Sequence, residues 1–209
     1  YKKFKYPVIC YSYDISKKIK KPIHRQFKGI DEIVFPSELN FGTISISIRY
    51  FLKIIIDIYK FDIVHIQHPD PFTAISIIFA KIRKPSLKII ITWHAEVYKS
   101  YILFSPILYL IDLIIFSLSS KIIYFTPYHV ESSLLAKIPF LKKKIKLIQN
   151  TIDNKYISKF KKRDYRKIDI NSKKYINLVS VGRLVSYKGY EYAIKAISNS
   201  ESRYYYRII

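Results

Sequence analysis

Four short apolar runs recur along this chain, each separated from the next by a segment of helical length. The predicted strands cover residues 62–67, 88–92, 121–125 and 144–148. The predicted helices between them cover residues 72–83, 100–119 and 128–137, and another is predicted at residues 43–59. Pro85 and Pro139 stop the first and third of the intervening helices. Because strands that alternate with helices form βαβ units, we predict an α/β fold with a Rossmann-like parallel sheet.

A second unit of the same type is predicted near the end of the chain. Residues 173–182 form an apolar run that ends at a glycine, and the segment after it has helical periodicity. The polar and cationic segment 151–172 has the composition of a linker. We therefore predict an amino-terminal domain at residues 1–165 and the beginning of a second domain at residues 166–209. The chain contains no Met and stops where the next strand should begin, so we expect a fragment truncated at both ends.

The formal net charge of +22 at pH 7 raises the question of a polyanionic partner. Basic clusters occur at residues 17–21, 142–146 and 159–167, but lysine is also spread evenly along the whole chain. The aromatic residues do not interleave with these clusters, and we find no helix-turn-helix, RRM or zinc-finger pattern. We therefore predict no nucleic-acid partner and retain an anionic membrane surface as a partner.

The most apolar segment, residues 101–119, is long enough to suggest a membrane span. Pro106 and Asp112 interrupt it, and a span there would divide the sheet across the bilayer. We predict instead a helix that packs on the sheet or lies at a membrane surface. The single cysteine, Cys10, excludes an internal disulfide and favours a reducing compartment. These features predict a cytoplasmic protein, peripheral at the inner face of the cytoplasmic membrane.

Two cations lie in the loop between the last predicted strand and the helix that follows it. Arg183 and Lys188 occupy this loop, which is where open α/β sheets bind ligands. Helix N-termini favour anions, and arginine offers a planar fork of donors to phosphate oxygens. The loop therefore predicts a diphosphate site, although in so basic a chain both residues could also be ordinary solvated cations.

Polar residues cluster where the first two predicted strands end. They are His65, Gln67, His68 and Asp70 after the first strand, and Thr92, Trp93, His94 and Glu96 after the second. The carboxyl ends of parallel strands line one crevice, so the cluster predicts acid/base chemistry or contacts with sugar hydroxyls. Two simpler interpretations stay open, since His65 could be a packed side chain and Asp70 could only cap the next helix. The spacings match no zinc motif.

Four segments resemble the family 4 retaining glycosyltransferases, whose fold is called GT-B. Residues 182–189 (GRLVSYKG) are similar to the Gly-Arg-Leu…Lys-Gly signature of the family's nucleotide-sugar domain. Residues 61–71 (FDIVHIQHPDP), 92–96 (TWHAE) and 148–153 (IQNTID) resemble three further motifs of the family, in the same order. At residues 149 and 151 the family has Pro and Gly rather than Gln and Thr, and its later segment with two glutamates eight positions apart has no counterpart here.

The resemblance implies that Gly182, Arg183 and Lys188 bind the donor diphosphate and that His94 is the catalytic residue that contacts the donor sugar or orients the acceptor. His68, Asp70 and Glu96 are the acceptor-side candidates. It further implies a GT-B enzyme that moves a hexose, with retention, from GDP-mannose or a UDP-sugar to a lipid-linked saccharide, without a metal ion or another cofactor. Two alternatives stay open: a paralogue that binds a sugar nucleotide or membrane without turnover, and another GT-B enzyme such as an epimerase or phosphorylase.

Overall fold

The computed structural model describes residues 7–14, 16, 18–27, 29–41, 44–95, 105–151, 176–200 and 203–209. The chain divides into two compact units, Tyr1–Thr151 and Ile152–Ile209. The predicted domain boundary at residues 165 and 166 lies outside the described residues, as does nearly all of the predicted linker.

The first unit contains nine strands and five α-helices among its described residues. In chain order they are β1 (Ile9–Asp14), β2 (Ile23–Phe27), β3 (Ile30–Pro36), β4 (Leu39–Phe41), β5 (Ile44–Ile46), α1 (Ile48–Asp57), β6 (Ile63–His68), α2 (Pro71–Arg83), β7 (Lys88–Trp93), α3 (Ser105–Leu118), β8 (Lys121–Tyr124), α4 (Pro127–Ser132), α5 (Pro139–Lys142) and β9 (Ile145–Leu147). Short 3-10 turns occupy Ile58–Lys60 and Leu135–Lys137.

The main sheet of the first unit is parallel and has the strand order β6-β7-β8-β9. Each strand is followed by helical structure before the next one begins, and α2 packs against both α1 and α3. The four predicted strands are confirmed to within one or two residues, as is the Rossmann-like α/β class. The order along the sheet follows the order along the chain, so the carboxyl ends of β6, β7 and β8 meet at one edge.

The two faces of this sheet differ in burial. Ile89, Ile91 and Trp93 alternate along β7 and are fully buried, and they form one core with Ile77 of α2 and Ile115 of α3. Alternation places β6 residues 63, 65 and 67 on the other face. There Ile63 is 54% exposed. Parallel sheets are commonly covered on both faces. In this sheet the helix side instead supplies most of the described core.

Two helix predictions need correction. Residues 44–46 of the helix predicted at 43–59 form β5, which pairs with β4, and α1 begins only at Ile48. Ser47 sets this boundary because its hydroxyl accepts from the N–H of Tyr50 and donates to the carbonyl of Pro36. The helix predicted at 128–137 is interrupted at Ser133, whose backbone is extended and whose hydroxyl lies 3.0 Å from that of Tyr124.

The apolar segment at 101–119 forms α3 over its described part, and residues 101–104 lie outside the description. No helix in the described part of the chain is long and apolar enough to cross a membrane.

A second sheet, for which the sequence made no prediction, lies at the start of the first unit. Its order is β1-β3-β2, with β1 parallel and β2 antiparallel to β3. It contacts α1, and the Tyr11 hydroxyl of β1 donates to the buried carboxylate of Asp57 at 2.7 Å. Lys53 and Lys60 also contact this carboxylate, at 3.1 and 2.7 Å.

The described part of the second unit is a single βαβ unit. It consists of β10 (Ile176–Ser180), α6 (Tyr190–Ser198) and β11 (Tyr204–Ile208), and the two strands pair in parallel. A 3-10 turn at Ser186–Lys188 precedes α6. The predicted strand and helix are confirmed, and the aromatic segment at the end of the chain is the second strand.

Candidate functional site

A chain of polar side chains runs across the carboxyl edge of the main sheet. His65 and Gln67 lie on the same face of β6, and Thr92 lies next to Gln67 in the register of β7. The His65 Nε2 is 2.7 Å from the Thr92 hydroxyl and 3.5 Å from the Gln67 amide nitrogen. The Gln67 carbonyl oxygen is in turn 2.7 Å from the His94 Nε2. Four of the residues predicted from the strand ends therefore form one hydrogen-bonded group.

The contacts of this group define how its two histidine rings carry their protons. Because the Gln67 oxygen can only accept, His94 donates through its Nε2–H. The Gln67 amide nitrogen and the Thr92 hydroxyl can both donate to the His65 Nε2. Burial lowers the pKa of His65, and the nearby charge of His94 lowers it further. A neutral His65 that accepts and a His94 that donates are consistent with both sets of contacts.

His94 is an exposed member of this group, as are His65 and Gln67, whereas Thr92 is buried. His94 directly follows β7, and its backbone N–H donates to the carbonyl of His68 at 2.8 Å. Its ring lies 5.1 Å from that of Phe125, which stacks on His129 at 6.4 Å. Sequence reasoning did not include Phe125 or His129 in the site. The signal was present, because Phe125 ends the third predicted strand and His129 follows it at the same edge of the sheet.

His68 and Trp93 lie on the opposite side of the sheet and are buried. His68 is 1% exposed, stacks on Trp93 at 5.2 Å, and places its Nε2 2.7 Å from the Asp112 carboxylate of α3. The backbone N–H of Asp70 donates to the His68 Nδ1 at 3.2 Å. The ring proton of His68 is therefore on Nε2, which donates a hydrogen bond to Asp112. His68 therefore supports the wall of the site and does not reach its surface. Asp112 was not predicted to be part of this group.

Asp70 caps α2, as the simpler interpretation of the sequence proposed. Its carboxylate accepts from the backbone N–H groups of Phe72 and Thr73 at 3.2 and 3.3 Å. It also accepts from the hydroxyls of Tyr13 and Thr73. With this carboxylate occupied by four donors, Asp70 orders the turn between β6 and α2. Glu96, the remaining acceptor-side candidate, lies outside the described residues.

The second unit places the two predicted cations in one strand-to-helix loop. Arg183 lies three residues after β10, Lys188 lies two residues before α6, and both are exposed. The start of the loop is fixed because Gly182 donates to the carbonyl of Ile209 at 2.8 Å. Gly189, the N-cap of α6, has a φ of 68° and no side chain with which to cap the helix. No side chain therefore caps the first turn of α6, in which the N–H of Tyr192 donates to the Gly189 carbonyl at 3.1 Å.

Gly182 is the second glycine of this loop, and the Tyr190 side chain lies close to its backbone. A Cβ at residue 182 would lie 2.7 Å from the Tyr190 hydroxyl and 4.0 Å from the Cε of Lys188. Tyr190 of α6 and the Lys188 stem therefore close over the backbone at the end of β10. The result is a compact loop that brings a lysine and a helix N-terminus together, which is the arrangement that binds anions.

No group of three or more His, Cys, Asp or Glu side chains within the described ranges is arranged to hold a metal ion. No protein-family model matches the chain, and no curated sequence matches it significantly.

Proposed function

We propose that the protein is a retaining glycosyltransferase of the GT-B type, which moves a hexose from a nucleotide-sugar to a hydroxyl of a lipid-linked saccharide. The observation that carries this proposal is the β10–α6 loop, in which Arg183 and Lys188 precede an uncapped helix N-terminus. The donor is GDP-mannose or a UDP-sugar, because both present a diphosphate to such a loop. The motif resemblance described above supports the same assignment.

The proposed chemistry depends on charge that develops on the departing diphosphate. As the glycosidic bond breaks, negative charge accumulates on the phosphate oxygen that leaves the sugar. Fixed cations contribute most to the rate when they stabilise charge that is present chiefly in the transition state. In the proposal Arg183 binds two phosphate oxygens through its planar fork, and Lys188 adds a point charge beside Gly182.

His94 has the second role in the proposal. Its ring is exposed at the sheet edge, and the Gln67 side-chain oxygen accepts a hydrogen bond from its Nε2–H. The other ring nitrogen is then an acceptor that can orient a sugar hydroxyl. His68 and Asp70 act here as positioning residues, because their polar atoms are already bound within the protein. Glu96 keeps its proposed place on the acceptor side.

Arg183→Ala tests the diphosphate site. Charged hydrogen bonds to phosphate contribute about 1.5–3 kcal/mol, so the affinity for UDP or GDP should fall about tenfold or more. Isothermal titration calorimetry on the full chain measures this affinity. Arg203→Ala is the matched control, because Arg203 is also exposed but precedes β11 at the opposite end of the two-stranded sheet.

Unchanged affinity of Arg183→Ala for every nucleotide that the wild type binds would remove the donor-site assignment. If nucleotide binding depends on Arg183 but no sugar transfer occurs from any donor, the protein is the non-catalytic paralogue. Transfer assays with GDP-mannose and UDP-glucose distinguish the enzyme from the paralogue.

A further inference from the structure

The outer face of the helices α1, α2 and α3 is the largest feature that the proposed function leaves unexplained. The three helices lie side by side, with α2 in the middle, and Phe51 of α1 contacts Phe79 of α2 at 5.6 Å between ring centroids. Their inner faces form the core with the main sheet. We call their outward side the helix-layer face, defined by Leu52, Ile56, Phe79, Ile82, Ile107 and Leu110.

All six of these side chains are about half exposed or more, and Ile56 and Ile82 reach 66% and 68%. Helices that cover a sheet normally turn their charged residues outward and their apolar residues inward. Helix α3 departs from this pattern. Its one charged residue, Asp112, is 2% exposed and bonded to His68, whereas its exposed side carries Ile107 and Leu110. Exposed apolar side chains that continue across three neighbouring helices mark a surface that another phase or molecule covers.

Charge identifies the occupant. Two copies of this chain would each carry a formal charge of +22, so their approach through this face is opposed by strong repulsion. An anionic bilayer is attracted by the same charge. Arg49, one turn before Leu52 in α1, and Arg83, next to Ile82 at the end of α2, place exposed cations at the margin of the apolar area.

We propose that the helix-layer face docks on an anionic lipid bilayer, with its apolar side chains in the interface and its marginal cations among the headgroups. Helices with an apolar face and basic flanks bind membranes in this orientation. The surface is wider than the segment 101–119 that the sequence indicated, because α1 and α2 contribute most of its exposed side chains. The proposal deepens the proposed function, since a lipid-linked acceptor lies in the bilayer.

Ile82→Lys separates insertion of the face from simple charge attraction. Insertion requires the apolar side chain, so association with vesicles of phosphatidylcholine and phosphatidylglycerol should weaken about tenfold. Attraction by charge alone would instead strengthen binding, because the variant gains a positive charge. The matched control is Ile63→Lys, which makes the same change at an exposed isoleucine on the other face of the main sheet. Ile56→Lys repeats the test on α1.

Sedimentation of the full chain with these vesicles measures the association, without any nucleotide-sugar. Circular dichroism confirms that each variant is folded, and Ile82→Ser replaces Ile82→Lys if the lysine prevents folding. Absence of wild-type binding, equal loss in Ile63→Lys, or tighter binding by Ile82→Lys would each overturn the proposal. The proposal would also be overturned if sedimentation velocity showed a wild-type dimer that the Ile82→Lys substitution dissociates. Failure of sugar transfer alone would overturn the proposed function and leave this one standing.

Discussion

At the scale of single residues, the site depends on how Gln67 connects two histidines. Its amide oxygen accepts from His94 while its amide nitrogen faces the His65 ring. An amide has distinct donor and acceptor ends, so this contact selects one orientation of each ring. Gln67 therefore connects the two rings, and the charge of His94 is one cause of the lowered pKa of His65.

His94→Gln tests this link. Burial is the larger cause of the lowered pKa of His65 and the charge of His94 is the smaller, so the variant should raise the pKa of His65 only part of the way to its ordinary value. Because a lowered pKa favours the neutral ring, His65 should remain unprotonated at neutral pH in both proteins. NMR titration of the ring protons measures the change.

His24→Gln is the control for this titration, because His24 is an exposed residue of β2. It should leave the His65 titration unchanged. A His65 pKa that is identical in the wild type and in His94→Gln would show that the two rings are independent.

At the scale of elements, α3 is attached to the main sheet by a polar contact within an apolar interface. Asp112 lies in the middle of the helix and accepts from the His68 Nε2–H at the end of β6. Trp93 of β7 and Phe116 of α3 pack around the His68 ring at 5.2 and 6.3 Å. Apolar packing tolerates small shifts of a helix, whereas a buried hydrogen bond does not. Asp112 therefore sets the position of α3 on the sheet.

Asp112→Leu should lower the free energy of unfolding by about 2 kcal/mol or more, because it leaves the buried His68 donor without its acceptor. Asp112→Asn should lower it by less, since the amide oxygen can still accept. Urea denaturation measures both values. Ser117→Leu, at an exposed position of the same helix, should change stability little. A fully stable Asp112→Leu would mean that the contact does not stabilise the fold.

At the scale of the molecule, the buried carboxylate of Asp57 connects parts of the first unit that are distant in sequence. It joins Tyr11 of β1 to Lys53 of α1 and to Lys60 of the following turn. Burial alone would raise the pKa of Asp57, but the hydrogen bonds from Lys60, Tyr11 and Lys53 lower it from 3.8 to about 2. The folded state therefore stabilises the ionised form of Asp57 relative to the unfolded state.

Because the pKa of Asp57 is lower in the folded protein, its contribution to stability is present above the unfolded value and disappears as the pH falls towards about 2. Asp57→Asn should lower the free energy of unfolding by about 1–2 kcal/mol at neutral pH, because water partly screens the two lysines. It should also make stability depend less on pH in the acid range. Thermal unfolding from pH 7 downward measures this. Asp62→Asn, whose parent side chain is 99% exposed, should keep the wild-type pH dependence.

The order and type of most elements could be predicted from the sequence, because they depend on local patterns. The isoleucine runs predict β6 to β9, Pro85 marks the end of α2, and the glycine before Arg183 marks the end of β10. Pro139, by contrast, begins α5 and ends no α-helix. The same patterns brought His65, Gln67, Thr92 and His94 to one edge, since parallel strands end together. β1 to β3 lacked such a signal, and Ser47 was not recognised as the cap that separates β5 from α1.

Only the tertiary structure decided which polar residues are exposed. His65, Gln67 and His68 are neighbours in one strand, yet alternation sends His68 into the core, where Asp112 of a distant helix binds it. Residues 101–119 are the most apolar segment of the sequence, and only packing against α2 divided α3 into a buried side and an exposed apolar side. Periodicity follows from the chain itself, whereas burial depends on which other elements pack against each face, and that is a property of the folded molecule.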